Sequence, residues 1–78
     1  MRNYTKEEAQ FLKNIGFRIQ FFRKKIDLSQ EQLAEKCDMS SSTISHIEST
    51  EPYPISLRAL YQIAAALEVE PYQLLKFD

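Results

Sequence analysis

Cysteine and glycine are almost missing from this 78-residue sequence, which has one of each and only three prolines. The single cysteine, Cys37, has no partner for an intrachain disulfide. With so little glycine and proline there is no stretch typical of a flexible linker, so we expect one domain over residues 1–78. A chain of this size buries only about 60% of the surface that its unfolded form exposes, which predicts one modest core.

Long apolar runs are also absent. The longest runs from Ile63 to Leu67, far short of the roughly 20 residues that a membrane-spanning helix needs. The N-terminal segment MRNYTKEEAQF does not resemble a secretion signal. We therefore expect no membrane partner, and we expect the protein in the cytoplasm.

Basic residues are scarce beyond the first third of the chain. Residues 1–25 carry seven Lys or Arg against two Glu, whereas residues 26–78 carry three against nine Asp or Glu. The two parts therefore have net charges of +5 and −6, although the whole chain has a net charge of −1. A basic patch can attract phosphate groups. Two solvated faces of opposite charge explain the asymmetry nearly as well, so charge alone is weak support for nucleic-acid binding.

Strands are not predicted, because no segment shows sustained alternation of apolar and polar residues. Helical spacing is present instead. Apolar residues recur every three or four positions in the first part of the chain and predict a long first helix with one core-facing stripe. The stripe consists of Leu12, Ile15, Ile19, Phe22 and Ile26. Asp27 is expected to end this helix, since aspartate tolerates the left-handed backbone conformation better than most residues.

Capping residues predict where four further helices begin. Ser29, Ser40 and Ser56 are good N-caps for the second, third and fourth helices, and the first of these opens a capping box. Glu70 and Pro71 suit the start of a short fifth helix. The residues expected to face the core from these helices are Leu33, Ala34, Cys37, Ile44, Ile47, Leu57, Leu60, Ile63, Ala64, Leu67, Leu74, Leu75 and Phe77. The predicted fold class is all-α, with five helices in one compact unit.

Residues 29–49 have the pattern of a helix-turn-helix. Two short helices joined by a three-residue turn need apolar or small residues at set positions, with a small one where the helices cross. Counting from Gln30, positions 4, 5, 8, 10, 15 and 18 are Leu33, Ala34, Cys37, Met39, Ile44 and Ile47, and all six fit. In such a unit, outward residues of the second helix contact base edges in the major groove of DNA.

The chain resembles the Cro/C1-type, XRE-like helix-turn-helix regulators, a family of phage repressors and their bacterial relatives. The resemblance covers about residues 16–77 and rests on LSQEQLAEK, STISHIE and ISLRALYQIAAALEVEPYQLL. The last phrase looks most like the small controller proteins of restriction-modification systems. Two positions depart from the family pattern: Asp38 stands where the turn usually has glycine, and STEPYP replaces the usual glycine after the third helix.

The resemblance implies a five-helix, lambda-repressor-like domain with its helix-turn-helix at helices 2 and 3, about residues 29–49, after an N-terminal extension of about residues 1–8. It implies a homodimeric transcriptional regulator, a repressor or an autoregulating controller, that binds a near-palindromic site on double-stranded DNA. A protein-interaction module of the same fold is the alternative. The lack of Lys and Arg between Asp38 and Glu51 favours that alternative.

Four outward polar residues of the third helix are the expected base readers, namely Ser41, Ser42, Ser45 and His46. A hydroxyl can donate or accept, and a neutral imidazole offers one donor and one acceptor, which suits a guanine or adenine edge. The alternative is a capping cluster on a solvated helix. The residues expected to touch the DNA backbone or to position the helix are Gln30, Ser40, Thr43, Ser49, Thr50 and Arg58. By resemblance, Gln30 matches a phosphate-contacting position and Arg58 one near the groove, although either could be a plain surface residue.

The resemblance also implies structural roles. Arg23 and Glu48 are expected to form an ion pair that holds the third helix in place. By similarity to controller proteins, the dimer contact would use the fourth and fifth helices, with the candidates Tyr61, Tyr72, Leu75 and Phe77. Phe17 and Phe21 lie opposite the core stripe of the first helix. They could cover the fifth helix, hold the N-terminal segment or extend the dimer contact.

Catalysis and metal binding are not expected. Ser45, His46 and Glu48 are too close in sequence to face one another on a helix, so they cannot form a nucleophile, base and orienting group. One histidine and one cysteine do not make a tetrahedral metal site. We therefore expect no enzyme activity, no cofactor and no small-molecule ligand.

Overall fold

The structure, a computed structural model, describes residues 3–77; residues 1–2 of the expected N-terminal extension and residue 78 lie outside this range. It contains α1 (Lys6–Lys25), α2 (Gln30–Lys36), α3 (Ser41–Ile47), α4 (Leu57–Leu67) and a 3-10 helix (Pro71–Leu74). No strand occurs in the described range, which confirms the all-α fold class. The predicted count of five α-helices is not confirmed, because the fifth is a four-residue 3-10 helix closed by i to i+3 hydrogen bonds.

Side-chain caps determine where the helices begin. The Thr5 hydroxyl accepts from the Glu8 N–H at 3.0 Å, and the Glu8 carboxylate accepts from the Thr5 N–H at 2.9 Å. This capping box was not anticipated from the sequence, and it places residues 6–8 in α1. The serine N-caps predicted at residues 29, 40 and 56 each accept a hydrogen bond from the third N–H of their helix. These contacts satisfy N–H groups that have no partner within a helix.

Among residues 3–77, three non-glycine residues have a positive φ angle and end helices or turns. Asp27 has φ 59° after α1, Asp38 has φ 57° between α2 and α3, and Glu68 has φ 61° after α4. The left-handed conformation turns the chain sharply out of a helix. The prediction for Asp27 is confirmed, whereas Glu68 has a side chain that does not favour this conformation and was not predicted.

Each helix contributes one large, fully buried side chain to the core, namely Ile19, Leu33, Ile44, Ile63 and Leu74. Most of the expected core residues surround these five. Three expectations are wrong: Ile26 is 43% exposed, Leu57 81% and Leu75 39%. Each of the three stands at or just beyond the end of its helix, where the helical stripe runs past the edge of the core.

Gly16 allows α1 to approach the end of α3 closely. Gly16 is buried, and a Cβ atom added there would collide with the backbone carbonyl oxygen of Ile47 and lie 3.3 Å from its carbonyl carbon. A lone glycine inside a helical pattern is a signal of such an approach. The contact positions the C-terminal end of α3 against α1.

Within the described range, no helix has the length and apolarity that crossing a membrane requires.

Candidate DNA-binding interface

A tight turn sets the position of α3 relative to α2. Cys37 ends α2, Asp38 takes the left-handed conformation, and the Met39 N–H donates back to the Ala34 carbonyl at 2.9 Å. The chain then enters α3 through its cap, Ser40. Packing between α2 and α3 is dominated by the buried residues that the sequence pattern identified, namely Leu33, Ala34, Ile44 and Ile47. The two helices therefore form one rigid unit with an exposed face on α3.

A buried ion pair holds the end of α3 against α1. Arg23 Nε donates to Glu48 Oε2 and Arg23 Nη2 donates to Glu48 Oε1, both at 2.8 Å. Arg23 Nη1 also donates to the Leu28 carbonyl at 2.6 Å. Both charged residues are only 7% exposed. Hydrogen bonding to Glu48 raises the pKa of Arg23 above its ordinary value, which keeps the guanidinium charged.

Gln30 extends this pair to α2. Its Nε2 donates to Glu48 Oε1 at 3.1 Å, so the Glu48 carboxylate receives hydrogen bonds from α1 and from the first residue of α2. This contact was not anticipated from the residue pattern. A primary amide has two N–H donors and one carbonyl acceptor, so the contact leaves Gln30 with polar groups for another partner. Gln30 is half-buried at the edge of the helix-turn-helix.

The outward face of α3 is polar and uncharged. Its four exposed polar residues are Ser41, Ser42, Ser45 and His46. The side-chain hydrogen bonds of this segment involve its other hydroxyls. Ser40 Oγ lies 2.8 Å from Thr43 Oγ1 and accepts from the Thr43 N–H at 3.1 Å, and Ser49 Oγ donates to the His46 carbonyl at 2.8 Å. Ser40, Thr43 and Ser49 therefore shape the helix and its ends, while the four exposed side chains face solvent.

Formal charge near this face is low. The Glu48 carboxylate is buried against Arg23. Thr50 is exposed in the loop after α3, and Arg58 is exposed in the first turn of α4. Between Asp38 and Glu51 the chain has no Lys or Arg. The face therefore offers hydrogen-bond donors and acceptors rather than a positive field.

An aromatic contact that the sequence did not predict lies beside α3. The imidazole of His46 and the ring of Tyr53 are nearly parallel, with 8° between their planes and 5.7 Å between their centroids. Tyr53 belongs to the loop between α3 and α4, which replaces the family's usual glycine. The nearby sequence signal is the proline on each side of Tyr53.

The dimer candidates divide into two groups. Tyr61 is 65% exposed, Tyr72 64% and Leu75 39%, so these three are available for a partner. Phe77 is half-buried, and its ring meets the Phe11 ring edge to face at a centroid distance of 5.7 Å. Phe77 therefore already has a contact within its own chain.

Two further phenylalanines are exposed on α1. Phe17 is 47% exposed and Phe21 52%. The guanidinium of Arg18 lies 5.3 Å from the Phe21 centroid, and Arg18 Nε donates to the Gln73 carbonyl at 3.3 Å. Arg18 therefore links this face of α1 to the 3-10 helix.

Nothing in the described range groups three or more side chains that could hold a metal ion. Glu48, which a catalytic triad would need beside His46, is committed to Arg23 and Gln30.

Comparisons with known proteins assign the family. The helix-turn-helix family HTH_3 matches residues 19–74. No curated protein matches the sequence. The restriction-modification controller protein C.AhdI from Aeromonas hydrophila is 32% identical over 81% of this chain and 94% of that one, with a TM-score of 0.76.

Two other solved structures are similar to this chain. SinR, the master regulator for biofilm formation, solved in complex with DNA, is 36% identical over 80% of this chain and 98% of that one, with a TM-score of 0.72. The hypothetical transcription factor NHTF from Neisseria is 29% identical over 97% of this chain and 85% of that one, with a TM-score of 0.81. The chain thus belongs to the helix-turn-helix family HTH_3, the XRE-type family of DNA-binding transcription regulators.

Proposed function

We propose that this protein is a sequence-specific regulator of transcription that binds double-stranded DNA as a homodimer and reads the major groove with α3. The observation that carries the proposal is the exposed, uncharged polar face of α3, held from behind by the buried Arg23–Glu48 pair. A rigid helix whose outward side chains can donate and accept hydrogen bonds suits recognition of base edges. The similarity to SinR, which was solved with DNA, supports the proposal.

The proposed contacts follow from side-chain length and position. Ser41 and Ser42 lie in the first turn of α3, and Ser45 and His46 lie in its second. Serine is short, so the helix must approach the bases closely. We assign backbone contacts or positioning to the surrounding residues, namely Gln30, Ser40, Thr43, Ser49, Thr50 and Arg58. Gln30 connects the two roles, since its amide both bonds Glu48 and can offer a donor to a phosphate.

The dimer follows from the small size of one reading face. One short helix covers only a few base pairs, and its contacts compete with a very large number of non-specific sites. Two copies related by a two-fold axis place their reading helices about 34 Å apart, one turn of DNA, on a near-palindromic operator. Such a dimer could act as a repressor or as an autoregulating controller.

A second candidate function is a protein-interaction module of the same fold. The absence of Lys and Arg between Asp38 and Glu51 favours it, because phosphate contacts supply much of the affinity of DNA-binding proteins. The two candidates respond differently to salt. DNA binding through phosphates weakens steeply as salt is added, whereas an apolar protein contact does not.

The test begins with DNA fragments selected from a random pool by the wild-type protein. Competition binding then compares the selected site with scrambled DNA for the wild type and for the combined variant Ser41→Ala, Ser42→Ala and His46→Ala. We expect the variant to lose its preference for the selected site while helicity and melting temperature stay the same. Each well-made base contact should account for about 1–3 kcal/mol of discrimination.

A control variant replaces an exposed residue near the end of α1, Lys24→Ala, and should keep the preference. A triple variant that retains its preference would rule out these base readers. An equal loss of affinity for all sequences would indicate phosphate contacts instead. Failure of the wild type to bind DNA in a salt-dependent way would favour the protein-interaction module.

A further inference from the structure

The loop after α3 places an aromatic ring on one of the proposed base readers. His46 and Tyr53 lie with their planes 8° apart and their centroids 5.7 Å apart. Aromatic rings attract one another at centroid distances of 4.5–7 Å, and offset parallel arrangements are among the preferred ones. His46 is exposed and Tyr53 is 36% exposed, so the pair lies at the surface beside the reading face.

The loop is built to hold Tyr53 there. Ser49 Oγ donates to the His46 carbonyl at 2.8 Å, and the Glu51 N–H donates to Ser49 Oγ at 3.3 Å, so the chain turns back at the end of α3. Tyr53 stands between Pro52 and Pro54. A proline fixes its own φ angle and restricts the residue before it to extended conformations. The tyrosine backbone has therefore lost much of its freedom before any ligand arrives.

An exposed histidine without such a contact would sample several side-chain rotamers. Binding a base edge would then require ordering the imidazole, which weakens binding by about 2- to 12-fold. A stacked neighbour selects one orientation of the ring plane in advance. The two imidazole nitrogens then point in defined directions, which a directional hydrogen bond to a base requires.

We propose that Tyr53 is a positioning residue that fixes the His46 imidazole for contact with a purine edge in the major groove. Sequence preference then depends on the loop between α3 and α4 as well as on α3 itself. This inference rests on the proposed DNA-binding function. It assigns to PYP, in the segment that departs from the family pattern, a role in selecting the base pair under His46.

The first experiment needs no DNA. His46 is the only histidine in the chain, so its imidazole proton signals are identifiable by NMR. Tyr53→Ala should move these signals toward the positions of an unstacked histidine, because the ring current of the tyrosine is lost. Tyr53→Phe keeps the ring and should leave them close to the wild-type positions. Unchanged signals in Tyr53→Ala would overturn the stack.

The second experiment measures discrimination at the base pair that His46 reads, defined as the pair at which His46→Ala loses its preference. Tyr53→Ala should lower discrimination there by about 2- to 12-fold, the equivalent of ordering one side chain. Tyr53→Phe, which keeps the aromatic ring, should retain the wild-type discrimination at this base pair. Discrimination at other base pairs, the salt dependence and the melting temperature should not change.

A double variant separates positioning from general stabilisation. In the His46→Ala background, adding Tyr53→Ala should have no further effect at that base pair; an equal loss in both backgrounds would refute the proposal. Should Tyr53→Ala fold poorly, Tyr53→Leu preserves an apolar side chain without a planar ring and should show the same loss. A wild type that prefers no DNA sequence would refute the proposed function, whereas a selective wild type with a fully selective Tyr53→Ala would refute this inference alone.

Discussion

At the scale of single residues, Glu48 is the carboxylate at which α1, α2 and α3 meet. It accepts two hydrogen bonds from Arg23 and one from Gln30, and it is 7% exposed. Glu48→Ala should lower the free energy of unfolding by about 3 kcal/mol, because it leaves a buried guanidinium without its counter-charge. Thermal unfolding measures the effect.

Glu51→Ala is the matched control, since Glu51 is an exposed carboxylate three residues further along the chain. Its melting temperature should stay close to that of the wild type, as is usual for a surface substitution. Equal shifts for the two variants would mean that the Arg23 contact contributes nothing to stability. In that case Ile44 and Ile47 alone would anchor α3.

The thiol of Cys37 should make stability depend on pH above neutrality. Cys37 is 5% exposed, and burial raises the pKa of its thiol. The folded state therefore holds the proton more tightly than the unfolded state, whose thiol pKa is about 8.5. The resulting stabilisation is complete below that value and is lost as pH rises through the folded pKa.

Cys37→Ala removes this titration and serves as the comparison. Denaturant unfolding from pH 7 to 10 should show the stability difference between wild type and variant shrinking as pH rises. Contributions from groups present in both proteins cancel in the difference. A difference that stays constant over this range would contradict the assignment to Cys37.

At the scale of elements, the close approach of α1 and α3 at Gly16 should govern how α3 is seated. Gly16→Ala would improve helix propensity by roughly 1 kcal/mol. It would also drive a Cβ atom into the Ile47 carbonyl, which is backbone and cannot swing aside. Overpacking of this kind costs about 1–3 kcal/mol. We expect the cost of overpacking to exceed the gain in helix propensity, so the melting temperature should fall.

Lys24→Ala is a suitable control on the same helix, because Lys24 is exposed. It should change the melting temperature little. A Gly16→Ala variant with a raised melting temperature would show that α1 and α3 can move apart without loss of stability. The same variant also tests the proposed reading face, since a displaced α3 should weaken the proposed selective DNA binding.

At the scale of the whole molecule, the exposed side chains of α4 and the 3-10 helix are the proposed dimer surface. Leu57, which is 81% exposed rather than buried, lies one helical turn before Tyr61 and joins this surface. Together with Tyr72 and Leu75 they form a set of exposed apolar residues, which is typical of protein interfaces.

Tyr61→Asp combined with Tyr72→Asp should convert the dimer to a monomer at micromolar concentration, as measured by sedimentation velocity. Phe77 is a poor choice for this test, because it packs on Phe11 and its loss would disturb the fold. If the double variant is still a dimer, the interface would instead lie on α1. Phe17→Asp with Phe21→Asp should then disrupt the dimer. A wild-type monomer that binds its operator one to one would end the dimer proposal.

The helices themselves could be predicted from the sequence because their causes are local. N-caps act over three residues, so Ser29, Ser40 and Ser56 indicate helix starts in the sequence. Apolar stripes repeat every three or four residues and indicate which face of each helix is buried. The same rule erred at Ile26 and Leu57, because a stripe does not reveal where the core stops. The polar face of α3 followed from the helix-turn-helix spacing.

Contacts between segments that are distant in the sequence depend on the tertiary structure, because no local rule connects them. The Gln30 bond to Glu48 spans 18 residues, and the collision that Gly16 avoids involves Ile47, in another helix. The stack of Tyr53 on His46 depends on how a loop with two prolines leaves α3. The residue pattern alone was enough to predict an all-α protein with a helix-turn-helix and a polar outward face on its third helix. The packing of α1 behind that face and the path of the loop beside it depend on steric fit and hydrogen-bond direction in three dimensions, which sequence spacing does not encode.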